Sequence, residues 1–210
     1  MIRGLMGGHE VTFEGRVFRL RSARLEHHST RRVPVYLGAQ GPRMTELSVR
    51  VADGVLVNWT NERKLLDAAR KLGQLGVSSE KFEVGAHLVV SIHEDAVKAR
   101  KSAIPFAAYI MTGTTEKVLS ELGVDSEERD KVRRLLVASD WEGLYRVARD
   151  DWVKAFSFFG TPKRLEEFLH VLVSNGYTHV VLGPPWGPRA AMALRAMSNM
   201  AKRIRKEWRY

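Results

Sequence analysis

Residues able to do chemistry cluster at a few points. Gly38-Ala39-Gln40-Gly41 follows the compact apolar run Val33-Pro34-Val35-Tyr36-Leu37. A glycine-bounded loop at a strand end lets backbone N–H groups approach a ligand closely, although G-x-x-G alone is common in that position. Thr161-Pro162 pairs a capping residue with a proline in the first turn, and so opens a helix whose free amides suit an anion. His93-Glu94 follows a third apolar strand and offers acid/base groups, or merely a helix cap. The seven histidines have no metal-ligand spacing: His27-His28 lies in an arginine-rich loop, and His87 and His179 sit inside apolar strands. Asp150-Asp151 points to two faces of a helix rather than to a carboxylate dyad. No Ser-His-Asp arrangement or Walker loop is present, and the absence of cysteine excludes thiolate metal sites, thiol nucleophiles and disulfides. No catalytic residue is assigned.

The elements that must position these groups alternate. Apolar strands are expected at 33–38, within 51–57, at 82–92 and at 178–183. Helices are expected from Pro42 to Val49 with Met44, Leu47 and Ser48 on one face, and from Glu62 to Leu75. Glu94–Ile110 should be a helix interrupted at Pro105. Thr115–Leu122, Ser126–Ala138 and Trp141–Phe156 follow, then a helix from Thr161 to Asn175 and a basic C-terminal helix. Nearly continuous apolar strands separated by helices imply a parallel sheet covered by helices, with ligands at the carboxyl ends of the strands. Trp59 reads as a pocket wall at such an end. The sequon Asn58-Trp59-Thr60 is a poor glycosylation site just after a buried strand.

The 210 residues carry a net charge of +10, with nine Arg against four Glu in residues 1–50 and seven basic residues against one Glu in 189–210. The body between is close to neutral, so a continuous nucleic-acid stripe is not expected; Lys202-Arg203-Ile204-Arg205-Lys206 with Trp208 and Tyr210 keeps a basic nucleic-acid-binding module as the lesser alternative. No apolar stretch is long enough to span a membrane. Met1–Gly8 lacks a secretory h-region, so a cytoplasmic location is the default.

Several stretches resemble the deazaflavin- and flavin-dependent branch of the luciferase-like monooxygenase superfamily, including methylenetetrahydromethanopterin reductases. They are Glu10-Val-Thr-Phe-Glu-Gly15 with Phe18-Arg-Leu20, then Val33 to Met44, Ala52-Asp-Gly-Val-Leu-Val-Asn58, Phe159-Gly-Thr-Pro162, and Gly176 to Pro185. The resemblance implies an α/β fold, a partial TIM-type (β/α) barrel of about four βα units matching the second half of the barrel. It also implies one domain over 1–210 with a helical insertion near 105–156. It implies an oxidoreductase using coenzyme F-420, or FMN, for hydride transfer on a small-molecule substrate, or a non-catalytic assembly or binding subunit of that family. Gly38, Ala39, Gln40, Gly41 and Thr161 match positions that approach the cofactor; the early strands that carry most candidate catalytic side chains have no counterpart here. Strands 33–38 and 178–183 would present unpaired apolar edges, so a homodimer, a separate N-terminal half-barrel chain or a rearranged sheet is expected.

Overall fold

The computed structural model describes residues 1–58, 61–78 and 81–207. A short helix α1 (Ile2–Met6) and an antiparallel hairpin, β1 (Val11–Glu14) with β2 (Arg19–Ala23), precede the parallel sheet. The sheet strands are β3 (Tyr36–Ala39), β4 (Gly54–Val57), β5 (Glu83–Ile92), β6 (Phe158–Gly160) and β7 (His179–Trp186). Helix α2 (Pro42–Val51) links β3 to β4, and α3 (Glu62–Gln74) links β4 to β5. Five helices join β5 to β6: α4 (Ala96–Gly113), α5 (Glu116–Glu121), α6 (Ser126–Val137), α7 (Trp141–Val147) and α8 (Asp150–Phe156). Helices α9 (Pro162–Ser174) and α10 (Ala190–Glu207) follow β6 and β7.

The strand order is not simply sequential. Gly85 of β5 pairs with Leu56 of β4 on one side and His179 of β7 on the other. Six residues on, Ser91 pairs with Phe159 of β6 and with Trp186 of β7. β6 therefore lies end to end with β4 along one flank of β5, and β7 takes the whole other flank. Four strands stand abreast at the amino end, where β3 and β7 are the outer strands among the described residues; beyond the end of β4 the outer strand is β6.

Alternation of the pleat divides the strands into two faces. Val55, Val57, Val84, Ala86, Leu88, Val90 and Ile92 are buried beneath the helices. Tyr36, Leu56, His87, Val89, His179 and Val181 look the other way and remain partly open. That inner face would line a barrel.

Asp53 ties the amino ends together. Its carboxylate accepts the Val35 N–H at 2.8 Å and the Arg3 guanidinium at 2.8 Å, and Arg32 joins it. Its own N–H donates to Val35 O, and its carbonyl accepts the Glu83 N–H. The strand expected from Val33 consequently starts at Tyr36: Pro34 has no N–H to give, and the Val35 N–H is spent on the Asp53 side chain.

Other expectations are corrected. α4 runs unbroken through Pro105, because Ala99, Ala103, Ile104, Ala107, Ala108 and Met111 bury one face and offset the roughly 3 kcal/mol of an interior proline. The span 141–156 is two helices, divided at Ala148-Arg149. Arg149 there donates to Glu128 (2.7 Å), Asp151 (2.8 Å) and Leu122 O (3.0 Å), drawing α5, α6 and α8 together. β7 continues through Pro184-Pro185 to Trp186, which an edge strand tolerates. α2 buries Thr45 and Ser48 against the sheet, whereas Met44 and Leu47 are exposed: the small side chains let the helix approach closely. The three-residue β6 falls between the helix expected to end at Phe156 and the one expected to start at Thr161, where no strand is expected.

The Val35 N–H, then Arg3 and Arg32, hold the Asp53 carboxyl below the ordinary carboxylate range. A depressed folded-state pKa gives stability that is present above the unfolded value of about 3.9 and is lost as pH falls through the folded one. Urea unfolding as a function of pH should therefore show a loss on acidification that Asp53→Asn lessens, with the variant less stable than the parent at pH 7.

Candidate functional site

The carboxyl ends of β3, β4, β5 and β6 carry the candidate site, as the parallel arrangement requires. Gly38 and Ala39 end β3, and Gln40-Gly41 turn the chain into α2, whose N-cap is Gly41 and whose first residue is Pro42. A β-carbon on Gly38 or Gly41 would meet nothing within 4 Å, so the backbone there faces open space. Gly41 contributes no side-chain cap, and the first-turn amides of α2 point out from the helix head. Gln40 and Gly41 line a crevice of about 240 Å³ with Thr45, Lys64, Asp67 and Lys71, in which Lys64 pairs with Glu121 and Lys71 with Glu46.

Thr161 caps α9, its hydroxyl oxygen accepting the Arg164 N–H at 3.3 Å. It stands after β6, and so beyond the end of β4, beside the strand that leads to the glycine loop. Arg164, with Lys154, Phe158 and Phe159, lines a separate cavity of about 580 Å³. The loop at 38–41 and Thr161 thus both follow carboxyl ends of sheet strands, and the crevice at Gln40-Gly41 is separate from the cavity at Arg164. Trp59 and Thr60 lie outside the described residues.

The histidines sort differently. His93 is consumed locally: its Nδ1 accepts the Asp95 N–H at 3.0 Å. His87 lies on the inner face, with Nδ1 3.3 Å from Asn58 Oδ1, and its Nε2 is 3.1 Å from where a β-carbon on Gly183 would stand. Asp150 and Asp151 are committed to Arg100 and Arg149, so no dyad forms. Trp152 and Phe156 are core residues, while Trp141 is exposed. In the basic C-terminal run, Arg203 forks onto Glu166 at 2.8 and 2.9 Å and Ile204 is buried; Trp208 and Tyr210 lie outside the described residues. Among the described residues no three His, Asp or Glu converge as a metal site, and no helix is long and apolar enough to cross a membrane.

One cluster escaped sequence reasoning. The Tyr36 phenol donates to Glu83 Oε2 at 2.6 Å, and His179 Nδ1 lies 3.7 Å from the same oxygen. The Tyr36 and His179 rings meet edge to face, centroids 5.7 Å apart. They come from the two edge strands and meet over the inner face because Gly54 and Gly85 leave the space: a β-carbon on Gly54 would lie 2.6 Å from the Tyr36 ring, and one on Gly85 would collide with His179. The only hint in the sequence was the placing of Gly54 and Gly85 inside apolar runs, the mark of a close approach.

A family model described as luciferase-like monooxygenase matches residues 1–179. The chain is 31% identical over 203 residues to the 5,10-methylenetetrahydromethanopterin reductase of Methanolobus tindarius, covering 94% of this chain and 62% of that one. It is 32% identical over 198 residues to the enzyme of that name from Archaeoglobus fulgidus, covering 90% and 59%. Among solved structures it resembles the coenzyme F-420-dependent tetrahydromethanopterin reductase of Methanopyrus kandleri, with a TM-score of 0.76 at 28% identity, over 95% of this chain and 59% of that one. The chain therefore spans about three fifths of the length of these relatives, and its sheet and helices are those of a partial barrel.

The Glu83 carboxylate, by accepting the Tyr36 hydroxyl, raises that phenol to about 12. A raised folded-state pKa contributes stability below the unfolded value of about 10 and loses it as pH rises through the folded one. Tyrosinate absorbance should accordingly show Tyr36 ionising late, and Glu83→Gln should bring one tyrosine back toward about 10.

Proposed function

The chain belongs to the luciferase-like monooxygenase family, and from that premise we propose that it supplies the cofactor-binding strand ends of a coenzyme F-420-dependent oxidoreductase. The likeness to 5,10-methylenetetrahydromethanopterin reductases over nearly all of this chain carries the reading. When bound, the deazaflavin serves as a two-electron carrier, giving or accepting a hydride at a carbon of the substrate. The substrate class suggested by the relatives' names is a methylene-tetrahydropterin.

The residues of this chain fit such a group at one end. Open space over Gly38 and Gly41 admits an anionic tail to the backbone, and the head of α2 offers amides and the positive end of its dipole. Ala39 packs the loop onto the core, at 1% exposed, so the amides are held rather than floppy. Gln40 borders the crevice beside Lys64 and Lys71. Thr161 fixes the head of α9 by accepting the Arg164 N–H, and the Arg164 side chain, paired with Glu167, lines the neighbouring hollow. None of these groups is an acid or base for the chemistry. Their task is binding and orientation, which is what a cofactor-driven hydride transfer asks of the protein.

Excluding water from the reacting carbon needs walls that these residues do not provide, because the inner face of the sheet is partly open. We read residues 1–210 as one domain with an inserted helical stretch near 105–156, working in the cytoplasm with a partner that completes the barrel. That partner is a second copy of this chain or a separate N-terminal half-barrel. The test is a titration of the purified chain with coenzyme F-420, and with FMN in parallel, read by fluorescence. The expected result is saturable F-420 binding on the order of micromolar, tighter than FMN, and weakened about tenfold by Gly41→Glu, ~1.4 kcal/mol. Failure of both cofactors to bind would overturn the proposal.

A further inference from the structure

The Tyr36–Glu83–His179 cluster lies apart from the residues assigned to the cofactor. Tyr36, Glu83 and His179 are the first residues of β3, β5 and β7. They stand at the amino ends of the strands, whereas the glycine loop and Thr161 follow the carboxyl ends. The cluster offers three different donors: a phenol oxygen, a carboxylate and an imidazole nitrogen.

These donors converge on one point. Tyr36 Oη lies 2.6 Å from Glu83 Oε2, and His179 Nδ1 lies 3.7 Å from the same oxygen. Two donors on one metal ion, at bonds of about 2.0–2.2 Å, stand roughly 2.8–3.6 Å apart. The two observed separations bracket that range, so small side-chain rotations bring all three atoms within reach of one ion. We propose that Tyr36, Glu83 and His179 form a mononuclear ferric site, with phenolate, carboxylate and imidazole as its three protein ligands.

The donor set selects the ion. Two hard oxygens with one imidazole suit iron rather than a soft metal. The phenol holds its proton strongly, since the Glu83 carboxylate raises it to about 12. A trivalent ion displaces that proton to solvent more readily than a divalent one, and no electron moves. Glu83 and the phenolate then offset two of the three positive charges.

The surroundings leave the donors available. Thr178 Oγ1 is 3.2 Å from His179 Nδ1, but its hydroxyl donates to Val84 O at 3.1 Å and its oxygen accepts the Val84 N–H at 3.0 Å. The Nδ1 lone pair is therefore not spent on Thr178. Asp53, the other carboxylate acting on Tyr36, is already paired with Arg3 and Arg32. The side chains of Glu83 and His179 are 54% and 37% exposed, so an ion and its waters can reach them from the hollow side of the sheet. Gly54 and Gly85 seat the two rings, and their edge-to-face contact sets both before an ion arrives. All three ligands come from strands of this chain. The assignment therefore depends neither on what completes the barrel nor on which cofactor the carboxyl edge takes.

The test titrates the purified chain with ferric nitrilotriacetate and reads the visible spectrum. A ferric ion on a phenolate gives a charge-transfer band that carboxylate and imidazole ligands alone do not. The expected result is a band that saturates at an equimolar ratio and is lost in Tyr36→Phe, which keeps the ring and its contact with His179. Glu83→Gln and His179→Gln should each weaken binding about tenfold or more, ~1.4 kcal/mol. Thermal unfolding followed by circular dichroism without iron checks that each variant is folded. Iron should raise the melting temperature of the parent more than that of Tyr36→Phe. Absence of the band in the folded parent overturns the proposal. A band that survives in Tyr36→Phe does so too, because the chain has five tyrosines and another would then be the ligand. F-420 titration of the same sample reports separately on the cofactor reading.

Discussion

β5 is the member on which the rest of the structure depends. Its ten residues bond to three strands: β4 along the lower part of one flank, β6 along the upper part, and β7 along the whole of the other. Val84, Ala86, Leu88, Val90 and Ile92 carry the packing against the helices, and Gly85, His87, Val89 and Ser91 make the spine of the inner face. The other strands of the parallel sheet have three to eight residues; β4, β6 and β7 lean directly on β5, and β3 reaches it through β4. A polar substitution on the helix side of β5 therefore acts on the whole sheet, whereas a change in β3 or β7 acts on an edge.

The chemistry of the carboxyl edge is mostly backbone chemistry. Its useful features are a loop without side-chain obstruction, two helix heads set by Gly41-Pro42 and Thr161-Pro162, and nearby cations. No acid, base or nucleophile stands out among the side chains at this edge. His93 is the clearest case: it stands at the right edge for acid/base work, and its Nδ1 is occupied by the amide two residues on.

Much of the architecture was legible because it is driven by local pattern. The apolar runs at 54–57 and 83–92, the amphipathic Glu62–Gln74 helix and the Thr161-Pro162 start all fold as their spacing demands. What was not legible depends on contacts between distant residues. The late start of β3 follows from a carboxylate 18 residues downstream of Val35. The run of α4 through Pro105 follows from packing on α6 and α8 that no local rule contains. β6, three residues long, is a strand only because β5 passes beside it. At the site, the glycine loop could be seen, but the Tyr36–Glu83–His179 cluster could not, since its members come from three strands and meet only when the sheet curls.

That cluster also has a bearing on the shape of the sheet. A ring from each edge strand reaches over a glycine and meets the other above Glu83, which straps the sheet across its hollow side. The bend is thereby held by the chain's own side chains rather than borrowed from whatever stands opposite. A substitution at Gly54 or Gly85 would therefore act on the curvature of the whole trough, by driving one of the two rings off the sheet.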